Sequence, residues 1–129
     1  MIPHQIYNKI IGTPNRTVIL FNIWLIAFMK DALEEHIKIK IAVTLNRLLE
    51  NSKKSDPIGE KGNIAKSYNQ IALNADIRKA TVSNTFNAIS TPSVVTLILI
   101  IEAMGYKLQD FAEIYYSIES SDIKKFRKR

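Results

Sequence analysis

The sequence has 129 residues, a formal net charge of +6 and no cysteine. This length suits a single domain with extensions, and without cysteine neither a disulfide framework nor a thiolate metal site can form. The two histidines, His4 and His36, are far apart in the sequence and have no acidic cluster at metal-ligand spacing. We therefore predict no metal site, no cofactor and no catalytic constellation, and we expect that the protein is not an enzyme.

Charge is unevenly distributed along the chain. The last six residues, KKFRKR, hold five cations, and residues 36–66 are also basic, whereas residues 92–123 have a net negative charge. This asymmetry suits a body with one face toward nucleic-acid phosphates and another toward a partner.

The N-terminal segment, residues 1–29, is predicted to be an extension of uncertain structure. Its residues 17–29, TVILFNIWLIAFM, contain only Thr17 and Asn22 as polar residues. As a helix this run spans about 20 Å, against about 30 Å for the hydrocarbon core of a bilayer. We therefore expect it to pack on the domain or across a dimer rather than enter a membrane, in a cytoplasmic protein. A translation start at Met29 is a second alternative.

An amphipathic helix is predicted from about residue 30. Acidic residues crowd its start, where they favour the positive end of the helix dipole. An apolar stripe then follows at helical spacing: Ile37, Ile41, Leu45, Leu48 and Leu49. Residues 52–66 contain Pro57, Gly59 and Gly62, and we interpret them as a mobile surface insertion. In the alternative interpretation, its lysines Lys53, Lys54 and Lys61 touch a DNA backbone.

Residues 67–90 predict two short helices joined by a tight turn. The first has an apolar face formed by Ile71, Ala72 and Ala75. In the second, one side is predicted to point inward (Ala80, Val82, Phe86, Ile89) and another outward (Lys79, Ser83, Asn84, Asn87). Asp76 lies in the turn, which needs a left-handed backbone conformation that Asp tolerates.

These residues resemble the Cro/repressor-type (Xre) helix-turn-helix family. Ala72, Ile77, Val82 and Ser83 stand at the spacing of that family, and PSVVTLILIIEAMGYKL is similar to the segment that follows its motif. The resemblance covers about residues 37–118. Two positions depart from the pattern: Asp76 replaces the usual turn glycine, and Arg78 replaces a Ser/Thr helix cap worth roughly 1 kcal/mol.

The resemblance implies an all-α, compact five-helix lambda-repressor-like domain over residues 30–119. After the motif, Ser93 is expected to cap a helix that runs to about Met104 and ends at Gly105. This helix is apolar nearly all round, which predicts burial of most of its circumference. A last helix is expected at about residues 108–118, followed by a basic tail, residues 120–129, that frays.

By the same resemblance, the chain is a sequence-specific, double-stranded DNA-binding transcriptional regulator, a repressor that acts as a homodimer. The second helix of the motif then enters the major groove. The implied base-reading residues are Lys79, Ala80 and Asn84. The implied contacts to the DNA backbone are Ser67, Tyr68, Asn69, Gln70, Arg78 and Thr81.

Two other functions stay open at this stage. In the first, the chain is an antitoxin: the motif represses an operon, and another surface binds a toxin protein. In the second, it is a protein-interaction module without a DNA role, membrane-anchored by residues 17–29. Small size and the extensions outside the motif are the features that motivate the antitoxin hypothesis.

Overall fold

A computed structural model of the chain describes residues 16–56, 62 and 64–129. The described residues are helical with no strand, which confirms the predicted all-α class. Their helices are α1 (Arg16–Ser55), α2 (Tyr68–Ala75), α3 (Lys79–Phe86), α4 (Val94–Ala103), α5 (Leu108–Ser117) and α6 (Ser120–Arg127). His4 and Lys61 lie outside the described residues, as does most of the predicted insertion, and Lys53 and Lys54 belong to the last turn of α1.

The chain divides into two units, with the boundary after Glu35. In the first, residues 16–35 form the beginning of α1. Burial of the apolar run 17–29 was expected, but the large apolar side chains there are exposed, Trp24 by 61%. Trp24 stacks on Phe28 with ring centroids 5.8 Å apart and contacts Phe21 at 6.2 Å. Among the described residues, no helix has an apolar stretch long enough to cross a bilayer.

The second unit, His36–Arg129, contains the hydrophobic core. The apolar stripe of α1 enters it as predicted at Leu45, Leu48 and Leu49, whereas Ile37 is exposed. The other large apolar side chains that are fully buried come from three different helices and a helix end: Ile71, Val82, Phe86, Ile100, Ile101 and Met104. Because the phenyl ring of Phe86 is fully buried, truncation to alanine would cost about 3–5 kcal/mol.

Helix α4 begins and ends as predicted. The Ser93 hydroxyl accepts a hydrogen bond from the Thr96 N–H at 3.1 Å, and Gly105 adopts φ +83 just after the helix. A Cβ on Gly105 would lie 3.1 Å from Cγ1 of Ile64, so the close approach also favours glycine. Within the single chain the expected burial around most of α4 is not reached, because Val94 and Val95 are 71% and 68% exposed. Only one side of this helix meets α2 and α5.

The C-terminal segment does not fray. Residues Ser120–Arg127 form α6, and Ile123 joins a second apolar cluster with Ile39, Val43 and Ile118. The Asp122 carboxylate accepts a hydrogen bond from the Glu119 N–H at 2.9 Å, which satisfies a donor at the start of the helix. Its other oxygen forms a 2.7 Å ion pair with Arg47 of α1. A capped, docked helix thus replaces the expected frayed tail.

Candidate nucleic-acid interface

Helix α2 starts with a side-chain cap. The Ser67 hydroxyl accepts a hydrogen bond from the Gln70 N–H at 3.2 Å, and Gln70 Oε1 accepts one from the Lys66 N–H at 2.7 Å. Ser67 and Gln70, two of the predicted phosphate contacts, therefore already use their side-chain oxygens within the chain. Asn69, which lies between them, is exposed. Tyr68 is half-buried, with its ring centroid 4.9 Å from that of Phe86. Its ring holds the start of α2 against the end of α3.

The turn between α2 and α3 is made by Asp76. Its backbone is left-handed, with φ 54 and ψ 48, as predicted from the position that glycine occupies in the resembled family. The Ile77 N–H donates a hydrogen bond to the Ala72 carbonyl at 3.0 Å, and the Asp76 N–H donates one to the Leu73 carbonyl at 3.4 Å. This pair of bonds is the Schellman arrangement, which ends α2 and redirects the chain into α3. Ala72 is buried where the two helices meet.

Helix α3 begins without a side-chain cap. Arg78 occupies the cap position in an extended conformation and makes no capping bond, as its substitution for Ser/Thr predicted. The Arg78 carbonyl accepts hydrogen bonds from the Thr81 and Val82 N–H groups at 3.0 and 3.2 Å. Arg78, Lys79 and Ala80 are exposed, and Thr81 is half-buried. The open start of α3 therefore presents two cations and unpaired backbone donors to solvent.

Four residues of α3 and its C-cap form one outward stripe: Ala80, Ser83, Asn84 and Asn87. They follow one another at i, i+3, i+4 and i+7, the spacing of a single helix face. Ala80 and Ile89 were predicted to point inward, and this was wrong: both are exposed, and Thr85 is buried instead. The Thr85 hydroxyl donates to the Thr81 carbonyl at 2.8 Å, so its burial leaves no unpaired oxygen.

Lys79 stands apart from this stripe. It precedes Asn84 by five positions, which turns it about 140° around the helix. Ala80 and Asn84 are four positions apart and differ by only about 40°. The structure thus groups two of the three predicted base-reading residues on one face and leaves Lys79 at the open start of the helix.

The end of α3 is held by residues that the sequence analysis did not select. Asn46 of α1 donates through Nδ2 to the Phe86 carbonyl at 2.9 Å and to the Ala42 carbonyl at 2.7 Å. Ala88 then adopts a left-handed φ of 57, and the Ile89 N–H donates to the Asn84 carbonyl at 2.8 Å. An asparagine on an amphipathic helix gives no sign in sequence that it caps a helix 40 positions away.

Asn87 links the outward stripe to the C-terminus. Its Nδ2 donates to the Ser83 carbonyl at 2.8 Å, and its Oδ1 accepts a hydrogen bond from Arg129 Nη2 at 3.3 Å. The site therefore combines amide, hydroxyl and methyl groups on α3 with cations at both of its ends. Such groups match the donors, acceptors and thymine methyls on base edges and the negative charge of phosphates.

Acid–base or metal chemistry has no comparable arrangement among the described residues. No three His, Asp or Glu side chains there are grouped to hold a metal ion. Burial raises the pKa of Tyr106 and of Tyr115, and the charge of a neighbouring residue raises each of them further. Neither tyrosine belongs to α3.

No protein-family model matches the chain, and neither a curated protein nor a solved structure shows significant similarity to it.

Proposed function

We propose that this protein is a sequence-specific, double-stranded DNA-binding transcriptional regulator, a repressor with a lambda-repressor-like helix-turn-helix. One observation carries the proposal: α2 and α3 are joined by the left-handed Asp76 turn, and α3 presents an outward stripe of small and polar side chains, exposed at Ala80 and half-buried at its other positions. A solvated helix face is common, but this one follows a turn at the position that the resembled motif requires.

In this proposal α3 lies in the major groove. Asn84 pairs with adenine through its amide, Ala80 meets a thymine methyl, and Lys79 donates to guanine near the start of the helix. Ser67, Tyr68, Asn69 and Gln70, together with Arg78 and Thr81, face the phosphates. The N–H groups at the start of α2 strengthen this contact, because a helix N-terminus attracts anions. Occupancy of the operator then blocks other proteins sterically.

The second part of the proposal is a two-fold homodimer. Val94, Val95 and Leu99 leave an apolar surface on α4 that the rest of the compact unit does not cover. Exposed apolar patches on a small domain typically mark an interface. A two-fold dimer would read half-sites about 10 base pairs apart, so the operator is expected to be roughly palindromic. Light scattering of the parent and of Val95→Asp measures this: the parent is a dimer and the variant a monomer.

The test of base reading starts from random-sequence DNA from which bound duplexes are selected. Fluorescence anisotropy then compares the enriched duplex with a scrambled one, for the parent, Asn84→Ala and the control Asn51→Ala. Asn51 is an exposed helical asparagine on α1, outside the site. We expect Asn84→Ala to lose about 1–3 kcal/mol on the enriched duplex only. Equal losses on both duplexes would contradict base reading by this residue.

A second candidate function follows from residues 16–37 of α1. Their exposed apolar side chains include Trp24, Phe28 and Leu33, which suits a protein partner more than DNA. In this case the protein is an antitoxin, whose DNA-binding unit represses the operon while another surface binds a toxin. Co-purification with the product of the adjacent gene tests it, with Trp24→Ser as the variant expected to lose the partner. Retention of that partner by Trp24→Ser would place the toxin elsewhere.

A further inference from the structure

Helix α6 docks beside the end of α3 and brings the C-terminal cations with it. Arg129 donates to Asn87 of the outward stripe at 3.3 Å, and its guanidinium lies 4.5 Å from the centroid of the Phe126 ring. The stacked ring and the hydrogen bond hold one side of the guanidinium and leave its other donors available. The basic end of α6 therefore adjoins the surface that we propose reads DNA.

Two further contacts fix how α6 is rotated about its own axis. Ile123 is 6% exposed and packs in the cluster that contains Ile39 and Val43 of α1. One residue earlier, Asp122 pairs with Arg47 at 2.7 Å. With an apolar anchor and an ion pair on adjacent residues, the helix has a defined face toward the rest of the unit.

That orientation separates four of the five cations in residues 124–129 into two pairs, with Arg127 in neither. Lys125 and Arg129 are four positions apart and both line a shallow groove of about 240 Å³ between α1 and α6. Two carboxylates, Glu50 and Asp122, line the same groove, and Asp122 is already paired with Arg47. Lys124 and Lys128 form a second pair at the same spacing, on a face turned away by about 100°. Both pairs carry the same charge and are exposed.

We propose that α6 is a second DNA-contacting element, in which Lys125 and Arg129 bind phosphates that flank the base pairs read by α3. Arg129 contacts Asn87 at the C-terminal end of α3, so these cations lie at the edge of the surface that we propose enters the major groove. A phosphate strand borders the groove beside that end. Cations fixed at that end bind this strand in a defined register, whereas a flexible basic tail attracts any phosphate.

This inference rests on the proposed function, and its test compares two variants of equal charge. Lys125→Gln/Arg129→Gln and Lys124→Gln/Lys128→Gln each remove two cations from α6. Binding to the enriched and the scrambled duplex is measured by anisotropy at several salt concentrations. For Lys125→Gln/Arg129→Gln we expect the magnitude of the slope of log K against log salt to decrease by about 2, one for each lost phosphate contact. Affinity for the enriched duplex should fall about tenfold.

Lys124→Gln/Lys128→Gln is expected to change the slope by less than half as much. Thermal melts of both variants show whether α6 stays docked, and circular dichroism at the binding temperature shows that each is folded. Equal losses for the two folded variants would overturn the inference and leave α6 as a source of bulk attraction. Failure of the parent to enrich any duplex would instead overturn the proposed function, and the inference with it.

Discussion

The burial of the two ends of the described chain is the opposite of what their hydropathy predicts. Residues 17–29 are almost entirely apolar, yet their side chains are exposed, whereas the charged segment Ser120–Arg127 forms a helix with a buried anchor. The arrangement of the apolar residues, and not their number, decides which segment docks. In α6, Ile123 and Phe126 are three positions apart on one face, and the remaining residues are polar.

A segment docks when one side of it fits a surface and the other side suits water. Ile123 and Phe126 supply the first in α6, and the exposed cations of residues 124–129 supply the second. The run 17–29 is apolar around its whole circumference, so no single surface of a small domain can cover it. Mean hydropathy therefore predicts burial poorly at both ends of this protein.

The largest effect that tests this contrast is expected at Ile123. Ile123→Ala removes the anchor of α6 and should lower the free energy of unfolding by about 2–4 kcal/mol, because a nearly buried isoleucine is replaced. Chemical denaturation followed by circular dichroism measures it. A loss below about 0.5 kcal/mol, on the order of a surface substitution, would mean that α6 is not docked in solution.

The next effect compares one aspartate from each unit. Asp76→Val should destabilise the compact unit by roughly 1–2 kcal/mol, since a β-branched residue is crowded at positive φ. Asp31→Val, the same change at an exposed helical position of α1, should have almost none. Asp76→Gly is expected to preserve or raise stability by up to about 1 kcal/mol. Thermal melts in one buffer compare all three, and an Asp76→Val protein as stable as the parent would place the turn elsewhere.

A smaller effect of opposite sign is expected at the other left-handed residue, Ala88. Ala88→Gly relieves the backbone but removes a methyl that packs on the cluster around Ile123, so a net gain of about a few tenths of a kcal/mol is expected. Ala112→Gly, within α5, should instead lose about 1 kcal/mol because its backbone is helical. The difference between the two melting temperatures is the measurement, and equal losses would contradict a positive φ at Ala88.

The smallest effect on stability is expected at Trp24. Trp24→Ser removes a large aromatic that is mostly exposed, so the free energy of unfolding should change by less than about 0.5 kcal/mol. The same variant should alter self-association or partner binding if residues 17–29 serve as an interface. Denaturation and light scattering on one sample separate the two outcomes. A stability loss like that of Ile123→Ala would show that the tryptophan is buried in solution.

Local sequence determined several helix boundaries, although it did not predict α6 or the start of α1 at Arg16. Ser67 and Ser93 are caps, Asp76 adopts the left-handed turn, and Gly105 ends α4, because each of these depends on the chemistry of one residue and its immediate neighbours. The apolar stripe of α1 was also predictable at Leu45, Leu48 and Leu49, since helical spacing alone places them on one side. Asn84 was assigned to the outward face of α3 for the same reason.

Only the tertiary structure decided which surfaces meet. Val94 and Val95 are as apolar as Ile100 and Ile101, yet the first pair is exposed and the second buried, because α2 and α5 contact just one side of α4. The contacts of Asn46 with the Phe86 carbonyl and of Arg129 with Asn87 join residues 40 and 42 positions apart. No local preference encodes such pairs, because they form only when packing brings a donor and an acceptor together.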